Sequence, residues 1–110
     1  MIAYTVHIEF DDEATLRRWV EWMGAGHLAE LCAAGALDAE AIVLDPVVQN
    51  GRPVYRGEAR YHFASREAFA LYEREHAPQL RAEGLRRFPV EKGVRYRRTV
   101  GEVAATRKKA

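Results

Sequence analysis

At 110 residues the chain is long enough for one compact domain and too short for two ordinary ones. Its 48% hydrophobic and 30% charged residues place it with globular proteins, and 17 basic against 16 acidic residues leave no charge excess to recruit a polyanion. No apolar run approaches the roughly 20 residues of a bilayer span. A single cysteine, Cys32, rules out an internal disulfide framework, and with no basic-then-apolar leader at the start the expected setting is the reducing cytoplasm.

In chain order, Ile2, Tyr4, Val6, Ile8 and Phe10 alternate with Ala3, Thr5, His7 and Glu9, which predicts a strand with two unlike faces. Asp11, Asp12 and Glu13 then supply an N-cap and first-turn carboxylates for a helix. Its apolar stripe is Leu16, Trp19, Val20, Met23, His27, Leu31 and Ala34. Gly24 and Gly26 each weaken that helix by about 1 kcal/mol relative to Ala, so a kink is expected beside His27, and Gly35 supplies the C-terminal stop. A second strand is expected over about 38–44. Asp45-Pro46 and Gln49-Asn50-Gly51-Arg52-Pro53 make the following connection rich in turn formers. The third strand, 54–63, splits Tyr55, Gly57, Ala59, Tyr61 and Phe63 from Arg56, Glu58, Arg60 and His62. Ser65 caps a second helix with an apolar stripe of Phe69, Tyr72, His76 and Leu80. Pro78 has no N–H to give, so this helix breaks near His76 and restarts with the proline in its first turn. A fourth strand is expected over 90–100. Residues 1–103 thus form one domain, and 104–110 a flexible basic tail.

The order βαββαβ fits a ferredoxin-like α+β fold, a four-stranded antiparallel sheet with two helices on one face. An internal repeat supports it. His27-Leu28-Ala29-Glu30-Leu31-Cys32-Ala33-Ala34-Gly35 recurs 49 positions later as His76-Ala77-Pro78-Gln79-Leu80-Arg81-Ala82-Glu83-Gly84, with His, Leu, Ala and Gly in register. Two halves related by a pseudo-twofold account for that offset. The sheet face away from the helices carries Thr5, His7, Glu9, Arg56, Glu58, Arg60 and His62, an amphipathic set suited to water or to a second subunit.

Ile2-Ala3-Tyr4, the two tryptophans between Trp19 and Met23, His27-Leu28-Ala29-Glu30 and His76-Ala77-Pro78-Gln79-Leu80 follow one another as they do in a family of small bacterial proteins of unknown function, which the chain resembles over residues 1 to about 103. The resemblance implies a dimeric α+β barrel, a homodimer in which two ferredoxin-like subunits pack their sheets together and hold ligands between helices and sheet. The family pattern has a proline two residues after its first histidine, where this chain has Ala29.

Two residues, His27 and His76, are the candidates for chemistry. An imidazole on an inward stripe serves either as a general base or ligand contact, or as a structural group capping a broken helix, and the sequence leaves both open. Trp22, Tyr4, Tyr61 and Tyr72 are the candidate lining of a pocket for a flat molecule, with core packing as the plainer alternative. No metal site is expected, since His27, Glu30 and His76 match no ligand spacing, and no motif implies an organic cofactor. Arg56 to Phe63 echo the RNA-recognition signature on a third strand. Glu58 and Arg60 stand where stacking aromatics belong, so nucleic acid is not an expected partner. Whether the chain is an enzyme is left undecided. The two functional readings are a small-molecule binder or enzyme with its pocket between helices and sheet, and a non-catalytic dimeric module.

Overall fold

The computed structural model describes residues 1–110. Strand β1 is Ile2–Phe10, and Asp12 caps the helix that follows, its carboxylate accepting the backbone N–H of Thr15 at 2.8 Å. Helix α1 runs Glu13–Trp22 and α2 runs Leu28–Ala33. Between them Met23–His27 form a π turn in which the N–H of Leu28 reaches back to the Met23 carbonyl. The expected break is therefore an inserted residue, the kind of bulge that recurs at functional sites. Helix α2 ends in a Schellman motif: Ala36 N–H donates to the Leu31 carbonyl at 3.0 Å and Gly35 N–H to that of Cys32 at 3.1 Å.

Strand β2 spans Asp38–Gln49, longer than the sequence suggests, because Asp45-Pro46 make a bulge between Leu44 and Val47 instead of ending the strand. Proline is tolerated there because β2 lies at a sheet edge. Asn50 and Gly51, both at positive φ (51° and 76°), form the two-residue turn into β3, Arg52–Phe63. Ser65 caps α3, Arg66–Glu75, by accepting from the Ala68 N–H at 3.1 Å, and α4 follows over Ala77–Arg87. Val90–Lys92 form a single 3-10 turn, so β4 begins later than the sequence implies, at Val94, and runs to Glu102. Val103 N–H donates to the Met1 carbonyl at 2.9 Å, and residues 104–110 are exposed and without secondary structure.

The strands lie in the order β2-β3-β1-β4, every neighbouring pair antiparallel. On β1 and β3 the expected parity holds, with Ile2, Tyr4, Ile8 and Phe10 beside Ala59, Tyr61 and Phe63. They share one core with Leu16, Trp19, Met23, Leu31, Phe69, Tyr72, Ala77, Phe88 and Val94. All the helices therefore cover one face. The Trp19 ring packs directly on Gly57, where only a residue without a side chain fits. No helix is long and apolar enough to cross a membrane.

The opposite face carries a polar lattice. His7 Nδ1 lies 3.0 Å from Glu58 and its Nε2 3.0 Å from the Thr99 hydroxyl, while Arg60 donates to the same Glu58 at 2.7 and 2.9 Å. Arg95 bridges Glu9 and Asp11, and His62 meets Asp38 at 2.8 Å. Burial pushes the Glu58 carboxyl up, but Arg60 and His7 outweigh it and hold it below the ordinary range.

Candidate functional site

The two repeats diverge at their histidines. In the first copy His27 keeps helical dihedrals (φ −64°, ψ −40°), and its side chain, 11% exposed, stacks on Trp22 with ring centres 4.0 Å apart and planes 20° from parallel. In the second copy His76 is the hinge between α3 and α4 (φ −125°, ψ −38°), and it is exposed. That corrects the inward placement read from the stripe. The restart forced by Pro78 resets the helical phase, so Ala77, Leu80, Arg81, Gly84 and Phe88 turn inward at three- and four-residue spacing and His76 turns out. The combination of His27, Glu30 and His76 is not assembled, and no group of three or more His, Cys, Asp or Glu side chains comes together elsewhere. Cys32 is a free, exposed thiol.

A cavity of about 50 Å³ lies between helices and sheet. Tyr4, Tyr61, Tyr72, Trp22 and His27 all line it, together with Met23, Leu80, Gly84, Phe88 and two arginines, Arg81 and Arg98. Tyr4 is its centre. Its ring lies 5.7 Å from that of Tyr61 and 5.9 Å from that of Tyr72, and its hydroxyl accepts from Arg98 Nε at 3.2 Å and from Arg81 at 3.3 Å. Arg81 is also paired with Glu73 at 2.7 Å. Burial works against the Arg81 charge, but Tyr4 and Glu73 outweigh it and hold the guanidinium firmly protonated. Burial, reinforced by the neighbouring tyrosines, pushes the phenols of Tyr61 and Tyr72 far up, so both stay neutral and able to donate. Tyr96, at the same wall, is held to the Phe88 carbonyl at 2.6 Å and pushed up to about 12 by burial.

Burial also lowers the pKa of His27, against an opposing pull from Glu30. The Glu30 carboxylate stands 3.5 Å away, and Nδ1 has no hydrogen-bond partner. A largely buried, neutral imidazole with a free nitrogen is equipped to accept or donate one hydrogen bond to a guest, or to take a proton from it. The arginines were absent from the sequence reading of the site. Arg98 carried a signal, because it shares the parity of Val94, Tyr96 and Val100 on β4. Arg81 carried none until the phase of α4 was known.

The family model described as a domain of unknown function (DUF4286) matches residues 1–103. The chain belongs to that family. Among solved structures, this DUF4286 chain is similar to a dimeric ferredoxin-like protein from an uncultured marine organism, at 13% identity and a TM-score of 0.67 over 96% of each chain. A second dimeric ferredoxin-like protein from an uncultured marine organism matches at 14% identity and the same TM-score, over 99% of this chain and 100% of that one. Both likenesses establish the ferredoxin-like fold. No curated protein matches the chain.

Proposed function

We propose that the chain works as a homodimer packed through its open sheet faces, as a dimeric α+β barrel, and that each subunit binds a small apolar or aromatic molecule between helices and sheet. The observation that carries the binding reading is the convergence of Tyr4, Tyr61, Tyr72, Trp22 and His27 on one cavity with two arginines at its wall. At about 50 Å³ the cavity holds water but no aromatic ring, so the guest must displace a wall. Helix α4 is the wall that can yield. Ala77 is its one fully buried residue, Leu85 is exposed, and its start at the His76 hinge has no side-chain cap. His27, neutral and with no hydrogen bond at Nδ1, is the group we assign to the guest's polar atom. His76, being exposed, contributes to the hinge alone.

The dimer reading is supported by the two dimeric neighbours and by the charge pattern of the uncovered face. Glu9, Asp38, Glu40 and Glu58 are interspersed there with Arg56, Arg60, Arg95 and Arg97, a mixed surface that can complement itself across a twofold. A cytoplasmic setting belongs to the same proposal, consistent with the exposed free thiol of Cys32. Native mass spectrometry of the freshly purified protein is the test. The expected result is a dimer carrying the added mass of a small organic molecule, lost in His27→Ala, with Thr5→Glu at the middle of the open face of β1 shifting the mass to monomer. A monomer in the unmutated protein would overturn the sheet-face assembly. A second reading, a non-catalytic dimeric module, is favoured by the smallness of the cavity, and it predicts a clean dimer whose stability, not its cargo, suffers in His27→Ala.

A further inference from the structure

The cavity described above has an unbalanced charge at its wall. Arg98 reaches in from β4 and Arg81 from α4, so the two guanidinium groups come from the sheet layer and the helix layer and meet on one acceptor, the Tyr4 hydroxyl. Glu73 neutralises one of them, at 2.7 Å from Arg81. Arg98 has no carboxylate partner; its guanidinium lies 5.8 Å from the centre of the Tyr96 ring. The Nε of Arg81 is sealed from solvent and makes no hydrogen bond. A phenol oxygen is a weak partner for two such forks, whose planar donors match a carboxylate and bind it with two parallel, charge-assisted bonds.

Resting on the ligand-binding reading, we propose that the guest is a small aromatic or apolar monocarboxylate, its ring among Tyr61, Tyr72 and Trp22 and its carboxylate taken from the Tyr4 hydroxyl's place by Arg98 and Arg81. The arginines select the acid over its neutral analogues. Arg98 is exposed and Arg81 partly so, which sets both where an anion arriving from water meets them first. Beyond them the lining is apolar except for the neutral His27, so a second charge would lie against Met23, Leu80 and Phe88, whereas one uncharged polar atom on the ring can meet His27.

The experiment is an NMR titration of the full-length, isotope-labelled chain with benzoate and, separately, with benzamide, at one pH and one salt concentration. Benzoate is expected to shift the amides of Ala59, Tyr61 and Gly84 and to bind about tenfold or more tightly than benzamide. The double variant Arg81→Gln/Arg98→Gln, its fold checked by its own amide spectrum, is expected to bring the two affinities together, and Arg98→Gln alone, which keeps the Arg81–Glu73 pair, to narrow the gap at an unchanged melting temperature. Equal affinities for benzoate and benzamide would overturn the carboxylate assignment and leave the cavity reading standing. A preference for benzoate that survives in the double variant would overturn the role of the arginines. Absence of any shift with either probe at millimolar concentration would overturn both.

Discussion

Adding one methyl group at Gly57 tests how the core is built. An ideal Cβ there would sit 2.6, 3.0 and 3.2 Å from three carbons of the Trp19 ring, well inside the roughly 3.5–4.0 Å at which carbon atoms pack. The ring has little room to retreat, because Trp19 is 2% exposed and packed against Phe10 with ring centres 5.8 Å apart. Forcing a methyl into such a site costs about 1–3 kcal/mol, and restricting the unfolded chain by Gly→Ala returns about 0.4–1 kcal/mol, so Gly57→Ala should destabilise by about 1–2 kcal/mol. For a chain of this length that lowers Tm by roughly 5–10 °C. Thermal melts followed by circular dichroism at one fixed protein concentration read it directly. Gly101→Ala is the matched control, a methyl added to β4 of the same sheet with nothing within 4 Å. Trp19→Phe removes the obstructing ring carbons, so in the double variant the two effects should couple by about 1 kcal/mol or more in the favourable direction. An unchanged Tm in Gly57→Ala, or strict additivity in the cycle, would refute the claim that Trp19 rests on the backbone of β3.

At Gly84, inside α4, an added methyl meets Trp22 at an ordinary 3.6 Å, so Gly84→Ala is expected to stabilise by about 0.5–1 kcal/mol in urea denaturation; a loss of stability would mean that α4 packs tighter than described. Because burial depresses the pKa of His27 in the folded chain below its ordinary 6.5, the unfolded chain takes up that proton first. Stability is then full above about pH 6.5 and falls as pH drops below it, levelling once the folded-state pKa is passed. His27→Gln should flatten this part of a Tm-against-pH profile, and parallel profiles for the two proteins would contradict the burial of the imidazole.

The regular architecture was written plainly in the residues. Period-two alternation marked β1 and β3, Asp12 and Ser65 announced the two helix starts, and the paired glycines and Pro78 marked both helix breaks. What escaped was governed by tertiary context. Asp45-Pro46 reads as a strand end, but the exposed edge position of β2 lets it bulge and continue. Val90 continues an apolar pattern yet lies in a 3-10 turn, because Gly93 in the left-handed region (φ 79°) closes it before β4. Tyr4, Tyr61, Tyr72 and His27 were recoverable as inward-facing residues, whereas Trp22 lies off the stripe of its helix and still lines the cavity. His76 was not, since a periodicity carried across a break assigns the wrong phase, and neither was Arg81, whose inward direction depends on that same phase.

The hydrogen bond between Val103 and Met1 sets the two ends of the domain side by side, while the Asn50-Gly51 turn lies between its two halves. Joining residue 103 to residue 1 through a short linker and opening the chain at that turn would reorder the elements as β3, α3, α4, β4, β1, α1, α2 and β2. Read from its new start, the permuted polypeptide is again strand, helix, strand, strand, helix, strand. The architecture is therefore indifferent to which half is synthesised first, and a gene encoding the halves in reverse order should yield the same folded body.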